Sequence, residues 1–196
     1  MRVSRLLAVL AVLLAVPFLL AACGDDDGDS DEDQITEAIE TSATSDDPAD
    51  CTELQTLAFT EQTTFETGDA AIANCEADAE DTSDNPESVE VANVEVDGDS
   101  ASAEVTFTGG GFDGSTLAVS LVKEDDQWKL DAIDDIPSFD AEGLKTSLEE
   151  QLSADAELSP EQKDCVSQAI SGASEDSLKA VALGDQNALI ELFGGC

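Results

Sequence analysis

The chain has 196 residues, with 46 aspartates and glutamates against 7 lysines and arginines and neither histidine nor tyrosine. A formal net charge of −39 excludes a nucleic-acid surface, which needs clustered cations to displace condensed counterions. The lack of histidine excludes Ser-His-Asp and Cys-His nucleophile systems.

The first 22 residues have a basic start (Arg2, Arg5), an apolar stretch from Leu6 to Leu20 interrupted by Pro17, and the small pair Ala21-Ala22. That is the order of a secretory signal, and the stretch falls short of the roughly 20 apolar residues of a spanning helix. A simple N-terminal anchor is the plainer alternative. The run Leu20-Ala21-Ala22-Cys23 resembles the lipobox of bacterial lipoproteins, in which the cysteine thiol receives a diacylglycerol and the signal is cut in front of it. The resemblance implies a signal peptide over 1–22 and a mature chain that starts at lipidated Cys23, on the extracytoplasmic face of the cell membrane.

Behind Cys23 come Asp25, Asp26, Asp27, Asp29, Asp31, Glu32 and Asp33. Like charges repel one another and the anionic lipid surface, so residues 23–33 are expected to form an extended tether reaching at most about 35 Å. The spacing of Asp25, Asp27 and Asp29 imitates the start of an EF-hand loop. Ser30 at the sixth position and Thr36 at the twelfth break the pattern, so no specific metal site is expected.

Ile35, Ala38 and Ile39 predict a helix from Gln34 to Ala43. A second helix is expected from Thr52, with Leu54, Leu57 and Ala58 on one face and Phe65 on its continuation. Gly68 and Asp69 provide a stop and a new cap before a helix over Ala70 to Ala79. After a turn-rich loop the period changes to two. Val89 and Val91 are out of phase with Val94 and Val96, which predicts a bulge near Ala92 and Asn93. Asp97-Gly98-Asp99 is a hairpin signal, and Ala101, Ala103, Val105 and Phe107 then alternate with polar residues. A glycine-rich connection over 109–114 leads to a strand from Ser115 to Lys123, and a turn at 124–127 to a last strand from Trp128 to Ile133.

Helices followed by an antiparallel meander make an α+β layout. The wording "FETGDAAIANC" and "DDQWKLDAI" resembles the NTF2-like lipoprotein domains of actinobacteria, which implies a cone of helices on a curved sheet around an open cavity, here over 34–136. Phe65, Phe107, Leu117, Val119, Leu121 and Trp128 are the candidates to line that cavity. Plain core is the competing reading for such an apolar stripe. Phe112 belongs either at the cavity rim or folded back on the sheet.

From 137 to 196 the pattern is helical. Leu144, Leu148 and Leu152 repeat at i+4, Ser159-Pro160-Glu161-Gln162 starts a helix that runs to Gly172, and Ser174 caps another that Gly184 ends. Asn187 to Phe193 forms a last short helix. This small bundle resembles the C-terminal helical modules, with a "PEQ…C" start and a terminal "GC", of other actinobacterial exported proteins. One continuous domain is the alternative to two.

With Cys23 acylated, Cys51, Cys75, Cys165 and Cys196 remain, an even set in an oxidising compartment. Three pairings are possible, and locality favours Cys51 with Cys75 and Cys165 with Cys196. No CxxC and no histidine argue against a metal centre. The ketosteroid-isomerase kind of NTF2-like enzyme uses a catalytic tyrosine, which this chain lacks.

The expected function is therefore a membrane-anchored extracytoplasmic lipoprotein, non-catalytic and without cofactor, that binds a small apolar ligand or a protein. The charge makes a cationic partner one candidate. The alternatives are an enzyme with a pocket Asp or Glu base and a structural envelope component.

Overall fold

The computed structural model describes residues 30–80, 85–154 and 158–196. The signal segment, Cys23 and the tether up to Asp29 lie outside the described residues. Among those described, the chain forms eight helices and one four-stranded antiparallel open sheet, an α+β arrangement ending in helices. No described helix is long and apolar enough to cross a membrane.

Helix α1 (Asp31–Thr44) starts three residues earlier than its apolar period predicts. Ser30 accepts from the Asp33 N–H while the Asp33 side chain bonds back to Ser30, and Asp31, Glu32 and Asp33 fill the first turn. Carboxylates that would only repel one another in a tether are stabilised at a helix N-terminus by its unpaired N–H groups, so 31–33 leave the expected tether and join the fold.

The expected long second helix is two. Helix α2 (Asp50–Glu53) and helix α3 (Leu57–Thr64) are separated by Leu54-Gln55-Thr56, which lies along the sheet edge. There the Thr56 N–H donates to Leu130 O at 2.8 Å and the Leu130 N–H to Leu54 O at 2.9 Å. The Thr56 hydroxyl accepts from the Phe59 N–H, capping α3, and donates to Asp131. Leu57 consequently lies half exposed at the start of α3. Helix α4 (Asp69–Ala79) takes Gly68, not Asp69, as its N-cap. Cys51 and Cys75 form a disulfide that ties α2 to α4.

The sheet order is β1-β2-β3-β4, with β1 (Ser88–Asp97), β2 (Ser100–Thr108), β3 (Thr116–Glu124) and β4 (Gln127–Ser138). The bulge in β1 falls between Ala92 and Glu95, where Asn93 has φ 52°. The β3–β4 turn places Asp125 and Asp126 at φ 51° and 66°, the two left-handed residues of a tight hairpin. Strand β4 continues beyond Ile133 to Ser138, which pairs with Thr116. It carries Pro137 near its end, which an edge strand tolerates. The joint expected after residue 136 therefore falls inside a strand.

One sheet face packs on α1. A 14-residue helix is about 21 Å long and four strands span about 14 Å, so α1 crosses the whole sheet from β1 to β4. Ile35, Ala38 and Ile39 meet Ala103, Val105, Leu117, Val119, Leu121, Trp128 and Leu130 in one sealed core. At its corner Asp31 accepts from Lys123 Nζ at 2.7 Å and Trp128 Nε1 at 3.0 Å, with Lys123 over the indole. The Lys123 hydrogen bond first, and the indole bond second, hold the Asp31 carboxyl below its usual range.

The C-terminal helices are α5 (Ala141–Ala154), α6 (Pro160–Gly172), α7 (Glu175–Ala182) and α8 (Gln186–Phe193). Ser159, Ser174 and Asp185 cap α6, α7 and α8. A disulfide from Cys165 to Cys196 fastens the chain end to α6. Ile170, Ala173 and Leu178 are buried here, apart from the sheet core.

Candidate functional site

Helix α3 joins the two halves. The Gln62 side chain accepts from the Ile133 N–H and donates to Ile133 O, both at 2.9 Å, and donates to Leu183 O at 3.0 Å. One amide thus pairs the exposed edge of β4 and grips the end of α7. Gly184 lies against it at φ 84°, and a Cβ there would sit 2.6 Å from the Gln62 Cγ. Lys179 of α7 reaches Ile136 O at 2.8 Å and the Asp135 carboxylate at 2.7 Å. That bond, followed by the Ile136 backbone, holds Asp135 below the ordinary carboxylate range. Gln186 of α8 donates to Phe65 O.

The surfaces so held do not close on each other. An open cavity of about 560 Å³ remains between α3, β4 and the β2–β3 loop on one side and α5, α7 and α8 on the other. Its walls are mainly apolar, with Phe65, Phe112, Leu148, Val181, Leu189 and Phe193 among them. A second cavity of about 460 Å³ lies beside it, under the end of α1 and along α2, α3 and α4. Phe59 and Leu130 share its wall with Ser42, Gln55, Asn85 and the Cys51–Cys75 disulfide. Thr63, Asp78 and Phe112 line both, so the two are chambers of one site.

Phe112 is the partition. The loop that carries it turns through Gly109, Gly110 and Gly114 at φ 78°, 69° and 73°, a backbone that side chains rarely adopt. The Gly109 N–H donates to Asp113 at 2.7 Å, the Gly114 N–H to Phe107 O, and the Ser115 N–H to Phe112 O. Folded in this way, Phe112 packs on Phe107 with ring centroids 5.9 Å apart. Phe65 forms the opposite wall as the C-cap of α3, in a left-handed conformation at φ 60°. That geometry costs a side-chain-bearing residue about 1 kcal/mol or more, and it turns the chain off the helix at the cavity edge.

The expected cavity residues divide. Phe65 lines the inner chamber, and Phe107 supports it through Phe112. Leu117, Val119, Leu121 and Trp128 sit in the sealed core, because α1 occupies the sheet face that an open cone would leave free. The inner chamber uses residues read from sequence as bundle core, above all Leu144 and Leu148 of α5, Val181 of α7 and Phe193 of α8. Their helical spacing was legible, but which face they presented to the sheet was not.

No lysine or arginine lines either chamber among the described residues, and Asp47, Asp50 and Asp78 line the outer one. No described group of Cys, Asp or Glu side chains is arranged to hold a metal ion. The arrangement therefore offers an apolar volume, hydroxyl and amide partners at its entrance, and negative charge beyond them. Two disulfides belong to a chain that folds outside the reducing cytosol.

Residues 57–134 match the family model for the low molecular weight antigen MTB12, C-terminal domain. The matched segment runs from α3 to within β4, and so contains Gln62, Phe65, Asp78 and Phe112 but none of the C-terminal helices. No curated protein and no solved structure matches the chain.

Proposed function

We propose that this chain is a lipid-anchored extracytoplasmic binding module that takes a small apolar ligand between its sheet-bearing half and its C-terminal helices, and that it catalyses nothing. The observation that carries the reading is the open cavity of about 560 Å³, apolar on both sides, where packed halves of a purely structural module would interlock. Its volume lies within the range of small-molecule sites. The helices of 34–136 around a four-stranded sheet agree with an NTF2-like layout, although α1 fills the sheet face and moves the cavity to the edge near β4.

The non-catalytic part rests on side-chain chemistry. There is no histidine or tyrosine, and the arginines stop at Arg5, so proton relays and fixed oxyanion donors must come from Ser, Thr, amide and carboxylate groups alone. Anchoring rests on Leu20-Ala21-Ala22-Cys23, and two or three acyl chains on one residue hold firmly where one holds marginally.

Native mass spectrometry of the chain released intact from its host membrane tests both parts. The expected spectrum shows a lipid-modified Cys23 at the N-terminus and a non-covalent small molecule whose occupancy drops in Leu148→Trp. An unmodified N-terminus would overturn the anchor. A chain that is empty and that also fails to take up the apolar dye N-phenyl-1-naphthylamine would overturn the ligand site, and turnover lost in Asp78→Asn would overturn the non-catalytic reading.

A further inference from the structure

The chemistry of the occupant can be narrowed, on the premise that the cavity is a ligand site. We infer that it takes a cationic amphiphile, with the apolar chain in the inner chamber and an ammonium-type head in the outer one. Continuity comes first: Thr63, Asp78 and Phe112 belong to both chambers, so one elongated molecule passing Phe112 occupies both. Polarity comes second. The inner walls are leucine, valine and phenylalanine, whereas the outer ones bring in Ser42, Gln55, Asn85 and three carboxylates.

Charge then selects the head. An anionic head would be desolvated beside Asp47, Asp50 and Asp78 with no lysine or arginine on the described wall to receive it. Free fatty acids and anionic phospholipids are thereby disfavoured. The described lysines are engaged elsewhere: Lys123 with Asp31, Lys129 with Thr52 O, Lys145 with Glu142, Lys163 with Ser153 O and Lys179 with Asp135. An ammonium head keeps the favourable sign and finds acceptor oxygens among the same residues.

Isothermal titration calorimetry of the chain with decylammonium, decanol and decanoate, each below its micelle concentration, tests this. Decylammonium should bind about fivefold more tightly than decanol, the effect of one partly solvated charge pair, and decanoate at least about fivefold more weakly. In Asp50→Asn/Asp78→Asn the decylammonium affinity should fall to that of decanol, with decanol unchanged. Fluorescence of Phe112→Trp should shift with decylammonium and with decanol, which locates the chain independently of affinity.

If none of the three binds, the ligand site itself is wrong. If decanoate binds as well as decylammonium, the site stands and the cationic head falls. If the preference survives in the double variant, or in Asp50→Asn alone should the double variant not fold, it arises from the net charge of the whole chain, and the outer chamber is not the head-group site.

Discussion

The sheet half and the helical half of this molecule bury apolar residues in opposite ways. Between α1 and the sheet, thirteen buried residues from Ile35 to Ile136 form one continuous core, with Leu121 fully enclosed. In the C-terminal helices only Ile170, Ala173 and Leu178 are buried, and Leu144, Leu148, Val181, Leu189 and Phe193 border the cavity. A filled core makes each methyl costly to remove, whereas a wall facing space has already given up half its contacts. The first half is built for rigidity, and the second is held in place by a few polar links and a disulfide.

The sharpest way to break that contrast is a matched pair of truncations. Leu121→Ala should destabilise the chain by about 3 to 5 kcal/mol, since a fully packed site cannot collapse around the void. Leu148→Ala, at the cavity wall, should cost under about 1 kcal/mol. Urea unfolding followed by Trp128 fluorescence measures both, because the single tryptophan lies in the sheet core. Equal losses would mean that the helices pack as tightly as the sheet.

Much of the sheet half was legible because its signals are local. The alternation of Ala101, Ala103 and Val105 gave a buried face, the Val91 to Val94 phase change gave the bulge, and Asp125-Asp126 marked a hairpin. What the sequence left undetermined was tertiary. Nothing near Thr56 announces that residues 54–56 will pair with β4 and split a helix, and nothing in the Leu144/Leu148 stripe says that it borders space. Gln62, the residue on which the joint depends, reads as one more polar helix position until its partners 71 and 121 residues away are known.

A next effect comes from the terminal bond. Cys165→Ser/Cys196→Ser opens a loop of 31 residues and should cost the helical half about 3 to 4 kcal/mol in the chain-entropy model. Hydrogen exchange resolves where the loss falls: amides of α6 and α8 should lose protection while those of β2 and β3 keep theirs. Loss of protection throughout would show the two halves to be one cooperative unit.

Gln62 sets the coupling between the halves. Gln62→Ala leaves the Ile133 N–H, Ile133 O and Leu183 O without this partner and should cost about 1 to 3 kcal/mol. Gln62→Glu can still accept from the Ile133 N–H but cannot donate to either carbonyl, so it should fall between wild type and alanine. If alanine and glutamate behave alike, the two donated bonds carry the joint. If glutamate behaves as wild type, they are dispensable.

The smallest effect is electrostatic and distinguishes the halves by titration. Asp31 belongs to the sheet core and Asp135 to the joint, and each is held below the ordinary carboxylate range by a lysine hydrogen bond. A depressed carboxylate contributes stability that is fully present above its unfolded value of about 3.9 and is lost as pH falls through its lower folded value. Acidification should therefore loosen both corners below about pH 4. Asp135→Asn should abolish the acid response of α7 amide shifts around Lys179 while leaving that of α1 at Asp31 to Asp33 intact, and Asp31→Asn should do the reverse. Both carboxylates are solvent-accessible, so added salt should shrink each response. A response in α7 that persists in Asp135→Asn would show that the helices are held against the sheet by something other than Lys179, and would return the weight of the joint to Gln62 alone.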